Sequence, residues 1–134
     1  MFWFRKPPQQ LPCITVGELR ITFHPKATWW QFFYRETEFN AYGRAFMLPP
    51  LSELDDILRT TGELLSELRA RLLAVSRAHA LTDEAGELQL SIDLSSWAEE
   101  RVFAITFVDG PQGVDLGGTF VIRSGQIVDE IWLD

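Results

Sequence analysis

The stretch 51–80 constrains this chain more than any other, because only there does a helical period run on unbroken. Leu54, Ile57, Leu58, Leu65, Leu68, Leu72 and Val75 recur at spacings of three, four and seven, which puts them on one face of a helix. Pro49 and Pro50 stop whatever precedes it, and Ser52 with Asp55 three positions later reads as an N-terminal cap. Glu53, Asp55, Asp56, Glu63 and Glu67 crowd its first part and Arg69, Arg71 and Arg77 its last, the order a helix macrodipole favours. One face of this helix is apolar and must be covered, so the flanking segments have to supply a sheet.

Those segments carry strand periods. Leu19, Ile21 and Phe23 alternate with Arg20, Thr22 and His24, and Gly17 before them marks a bend. A dense aromatic strand follows at 29–35, in which Trp29, Phe32 and Phe33 are expected in the core. The residues 37–40 read as a connection and 41–47 as a third strand weakened by Gly43. Beyond the helix, 88–93 alternates cleanly, and 102–108 is apolar at nearly every position, as a strand buried on both faces would be. The segment 95–100 fits either a single helical turn or a loop, and 109–113 is a loop. A hairpin joins 118–123 to 126–133 through Ser124-Gly125, with Ile127, Asp129, Ile131 and Leu133 on one face and Val128, Glu130 and Trp132 on the other. The expected fold is α+β: a strongly bent antiparallel sheet of six to seven strands with one long central helix on its concave face, in a single domain spanning 1–134.

At 134 residues the chain is long enough to bury a core without staples, and its one cysteine, Cys13, rules out an internal disulfide. Residues 1–12, with three prolines, are expected to run extended. There Phe2, Trp3 and Phe4 need shelter on the core or at a sheet edge, with a membrane-skimming anchor the lesser alternative. The apolar start is too short for a secretory signal, and a cytoplasmic protein is the expectation.

The net charge of −7 is unevenly spread. Six basic and three acidic residues lie in 1–50, four and five in 51–80, but only Arg101 and Arg123 stand against eleven acids in 81–134. Such a half repels nucleic acid and anionic lipid and attracts basic protein surfaces.

No assembled chemistry is legible. His24 shares a strand face with Arg20 and Thr22 and reads as an exposed polar residue, and His79, at the helix end, as a structural one. Cys13 lies at neither a helix start nor a glycine turn and reads as a small buried hydrophobe. No two Cys or His are close enough in sequence for a zinc site, and Asp83, Glu84 and Glu87 lack the spacing of a calcium loop. Adjacent carboxylates such as Asp129 and Glu130 point to opposite faces of a strand. The glycines at 110, 113, 117 and 118 lie between strands, without the helix or lysine of a phosphate cradle. No catalytic residue, cofactor or metal is therefore expected.

What remains is an acidic domain with surplus aromatics, the composition of a surface that binds a basic protein. Its expected contact residues are Trp97, Glu99, Glu100, Asp109, Asp115, Asp129, Glu130, Trp132 and Asp134. In size, charge and the acid-rich segments 95–100 and 128–134, the chain resembles the small acidic immunity proteins encoded beside bacterial polymorphic toxins. The resemblance implies a cytoplasmic inhibitor that covers the active site of a basic toxin. Two alternatives are a secretion chaperone for an effector and a small ligand-binding or enzymatic barrel, in which His24, Tyr34, Arg35 and Arg44 would supply polar contacts.

Overall fold

A computed structural model describes residues 11–78, 88–109 and 114–132. Its elements run β1 (Cys13–Val16), β2 (Leu19–His24), β3 (Trp29–Tyr34), β4 (Thr37–Tyr42), α1 (Leu51–Ala78), β5 (Leu88–Asp93), α2 (Trp97–Glu100), β6 (Val102–Asp109), β7 (Val114–Arg123) and β8 (Gln126–Trp132). The eight strands form one sheet in sequence order. The fold is thus α+β, but among the described residues the sheet has eight strands rather than six or seven beside one long helix, and it is open and mixed. Every neighbouring pair is antiparallel except β4 and β5, which are parallel because α1 carries the chain back along the sheet before β5 begins. Several sequence expectations lie outside the described residues: the helix end with His79, Phe2, Trp3 and Phe4, the acidic turn after the helix, the glycines at 110 and 113, and Asp134.

The strand boundaries follow from the turns. Arg35 and Glu36 form a two-residue loop with both φ positive, 47° and 66°, so β3 folds directly onto β4 with Tyr34 opposite Thr37. A turn of this type is usually announced by Asn-Gly or Asp-Gly. Without that signal, 37–40 read as a connection when it is most of a strand. The real strand then ends at Gly43, whose φ is 108°, so 43–47 is not strand. Ser124-Gly125 does carry the signal and makes the β7–β8 turn at φ 51° and 74°. The first strand was not legible at all: β1 pairs with β2 across Gly17-Glu18, and its four side chains are all exposed, Cys13 among them. An edge strand without a buried face has no period to read.

Facing residues across the register share a side of the sheet, which separates an inner face from an outer one. Ile21, Phe32, Phe39, Ala41, Ile92, Ile105, Phe107, Phe120 and Ile122 lie on the inner face and are all buried. Leu54, Ile57, Leu68 and Leu72 of α1 pack against them, so the helix covers that face. Thr61, on the same stripe, is buried too, and its hydroxyl donates to the Ile57 carbonyl at 2.8 Å. The helix is opened by the Pro50 carbonyl, which accepts from Glu53 and Leu54 N–H; Ser52 lies inside the first turn and is not its cap. On the outer face Ala104 and Thr106 of β6 are only half-buried, so that strand is covered on one side rather than two. Phe33 points outward as well and is 60% exposed, and Trp29, opposite His24 and Tyr42, shares that outer face, which corrects the expected place of both in the core: residues an odd number of positions from Phe32 cannot face the helix with it.

A bulge resets the last strand. Ile122 pairs with Ile127 and Val121 with Asp129, so Val128 has no opposite number. The side-chain alternation therefore slips by one residue. Ile127, Glu130 and Trp132 face the helix, whereas Val128, Asp129 and Ile131 face out.

Candidate functional site

The residues expected to form one acidic contact surface fall in three places. Glu130 and Trp132 sit on the inner face. Glu130 accepts from Arg71 of α1 at 2.5 Å, and Arg71 also bonds Glu67 at 2.7 Å. Hydrogen bonds donated to Glu130 and then to Glu67 push the Arg71 guanidinium above its ordinary pKa. Trp132 meets Phe120 edge to face with centroids 5.6 Å apart and lies over Gly118. Both thus have partners within the molecule. Asp129 is exposed on the outer face, where its Oδ1 accepts the Glu130 N–H at 2.8 Å. Asp109 and Asp115 belong to β6 and β7, but their side chains lie outside the described residues. Trp97, Glu99 and Glu100 form α2, near the start of α1 and the β7–β8 turn.

The α2 turn is held from several sides. Leu94 N–H donates to the Asn40 carbonyl at 2.7 Å, Trp97 N–H to the Leu94 carbonyl at 3.1 Å, and Arg101, at φ 54°, closes the turn by donating to the Trp97 carbonyl. Ser95 bridges to the sheet: its Oγ accepts from Tyr42 N–H at 2.8 Å, and its N–H donates to Asp93 Oδ1 at 2.7 Å. These bonds seat Trp97 between two clefts. The first, about 260 Å³, is bounded by Tyr42, Phe46 and Met47 on one wall and by Ser95, Trp97 and Glu99 on the other. The second, about 380 Å³, lies between Trp97, Arg101, Phe103, Ser124 and the first turns of α1.

Charge and exposure differ sharply across this end. All five acids of the helix have an ion-pair partner within the molecule: Glu53 with Arg101, Asp55 with Arg35, Asp56 and Glu63 sharing Arg59, and Glu67 sharing Arg71 with Glu130. Glu99 and Glu100 form no ion pair among the described residues, and both are exposed. Beside them Met47 is 82% and Tyr42 59% exposed. The Trp97 Nε1 is buried and has no acceptor among the described residues. Sequence reasoning missed Tyr42 and Met47 as neighbours of α2, because it is the seating of Leu94 and Ser95 on β4 that brings 42–47 and 95–99 together.

The contacts expected for a ligand barrel do not converge. His24 is on the outer face, stacked on Trp29 at 4.4 Å, with Nε2 at 3.2 Å from Gln31 Oε1. From there a file of side-chain bonds runs on: Gln31 donates to Glu38, Asn40 to Ser91 at 2.5 Å, and Trp29 Nε1 to Asn40 Oδ1 at 2.6 Å. The file occupies these polar groups with one another. Tyr34 instead faces the helix and donates to Asp55 Oδ1 at 2.7 Å, with Arg35 beside it, while Arg44 stands in the segment before α1. Cys13 is exposed and takes a 3.2 Å contact from Arg20 Nε, so it is no buried hydrophobe. Among the described residues no group of three His, Cys, Asp or Glu is placed to hold a metal ion, and no described helix is long and apolar enough to cross a membrane. No protein-family model matches the chain, and no curated protein or solved structure does either.

Proposed function

We propose that this chain is a protein-binding module that grips a basic partner at its α2 end, and that it acts as an immunity protein covering the active site of a cognate bacterial toxin. One observation carries the reading: Glu99 and Glu100 keep unpaired charge directly beside an apolar cleft whose lips, Tyr42 and Met47, are exposed. A buried aromatic or methionine anchor within a charged rim is the anatomy of a protein interface, and unpaired acids steer a cationic partner toward it. Charge already paired inside the molecule, as at Glu130, steers much less. The proposed contact set therefore keeps Trp97, Glu99 and Glu100, adds Tyr42 and Met47, and leaves out Glu130 and Trp132.

Co-expression with the product of the adjacent gene, followed by size-exclusion chromatography, tests this. Co-elution is expected, and Met47→Glu should abolish it whereas Glu130→Gln should not. Separate elution of the two wild-type proteins would count against the reading.

A further inference from the structure

Resting on that reading, we infer that the cleft between Tyr42 and Trp97 receives an arginine side chain of the partner, its guanidinium set against the indole of Trp97 and the carboxylate of Glu99. The molecule holds its own precedent on the other side of the same residue. There the Arg101 guanidinium lies 5.2 Å from the Trp97 ring centroid while its Nη1 bonds Glu53 at 2.5 Å, so ring, cation and carboxylate form one unit. In the first cleft Trp97 and Glu99 repeat two members of that unit, and no described cation pairs with the acid.

The rest of the cleft suits the stem of the same side chain. Phe46 and Met47 offer apolar surface to three methylenes. The volume of about 260 Å³ falls below the ~300–1,000 Å³ of small-molecule sites and matches a single side chain better than a metabolite. Arginine fits better than lysine because its planar, weakly hydrated cation stacks on an aromatic face while bonding a carboxylate, whereas an ammonium keeps its water. Arg44 of this chain lies between two residues of the cleft wall, Gly43 and Ala45, and is exposed without an ion pair among the described residues. It is the internal competitor that a test must remove.

The test is a titration of the ¹⁵N-labelled full chain carrying Arg44→Ala with the blocked tripeptides Gly-Arg-Gly, Gly-Lys-Gly and Gly-Gln-Gly, following the Trp97 indole N–H. The arginine peptide should shift that resonance saturably and the glutamine peptide should not. The lysine peptide should bind several-fold more weakly. Glu99→Gln should weaken the arginine peptide about fivefold, the effect of roughly one charge-assisted contact, while Glu130→Gln, paired with Arg71 away from the cleft, should change it less than twofold. A linear or absent response, an equal response to lysine, or indifference to Glu99→Gln overturns the inference. Co-elution of the adjacent gene product alongside an absent tripeptide response overturns the arginine site while leaving the protein-binding reading in place. If neither is seen, both fall.

Discussion

The indole of Trp132 lies directly on Gly118, so closely that a Cβ built on that glycine would stand 2.4 Å from the ring and within 3.0 Å of three of its atoms. The glycine is therefore required by the tryptophan rather than by its own backbone. Trp132 in turn closes the inner face by packing on Phe120.

Gly118→Ala should accordingly destabilise the fold by about 1–3 kcal/mol, the usual cost of forcing extra volume into a packed site. Gly118→Ala with Trp132→Leu should lose less than the sum of the two single changes, because the leucine vacates the space the methyl needs. Urea denaturation of the four proteins measures this. Additive losses would show that the ring yields without strain.

The β3–β4 turn holds Glu36 at φ 66° without a glycine. A left-handed conformation costs a non-glycine residue about 1–2 kcal/mol, part of which glycine returns through the greater freedom of its unfolded chain. Glu36→Gly should thus stabilise by up to about 1 kcal/mol, and Glu36→Val, branched at Cβ, should destabilise by a similar amount or more. Thermal denaturation gives the sign directly. Arg35 is left intact here, since it pairs with Asp55 at 3.2 Å and packs over Tyr34 at 5.4 Å.

These two turns show what local sequence conveys and what it withholds. Ser124-Gly125 and Arg35-Glu36 place the chain in closely similar geometry, yet only the first contains the residue type that geometry prefers. The long helix was legible because Leu54, Ile57, Leu68 and Leu72 keep their period regardless of what covers them. The bulge at Val128 was not, because it depends on how β7 is aligned, and it moves Ile127 onto the face of Glu130 and Trp132 and Val128 onto that of Asp129 and Ile131. The candidate site was partly legible for the same reason. Trp97, Glu99 and Glu100 are adjacent in sequence, but which acids keep unpaired charge is decided by tertiary contacts such as Arg71 with Glu130 and Arg101 with Glu53.

That pairing leads to a separation of roles between acids. The Arg71–Glu130 pair is 40% and 31% exposed, and water screens most of its attraction, so Glu130→Gln should lower stability by no more than about 1 kcal/mol. The loss should shrink at high salt. Because Arg71 holds its proton more firmly than usual, its half of the pair persists below the ordinary arginine pKa and is lost only as strong alkali passes the raised value; nothing in the neutral range titrates it. Glu99→Gln should do the reverse, leaving stability within about 0.5 kcal/mol and weakening partner association. Guanidinium titrations beside binding measurements on both variants decide it, and equal effects of the two on binding would argue against an α2 site.

Trp97 combines a favourable and an unfavourable contact, and the two are separable. Its ring carries the Arg101 guanidinium and meets Phe103 at 6.0 Å, edge to face, whereas its Nε1 is buried without an acceptor among the described residues. An orphaned donor of this kind costs about 1–3 kcal/mol. Trp97→Phe removes the donor but also some packing and part of the attraction for Arg101, so the opposing changes should leave stability within about 1 kcal/mol of the parent. Trp97→Ala keeps no ring at all and, because the indole is only half-buried, should lose somewhat less than the ~3–5 kcal/mol of a fully buried tryptophan. Comparing the two by chemical denaturation isolates the donor. A loss from Trp97→Phe as large as that from Trp97→Ala would mean that the indole N–H is satisfied in solution and contributes to holding α2 in place.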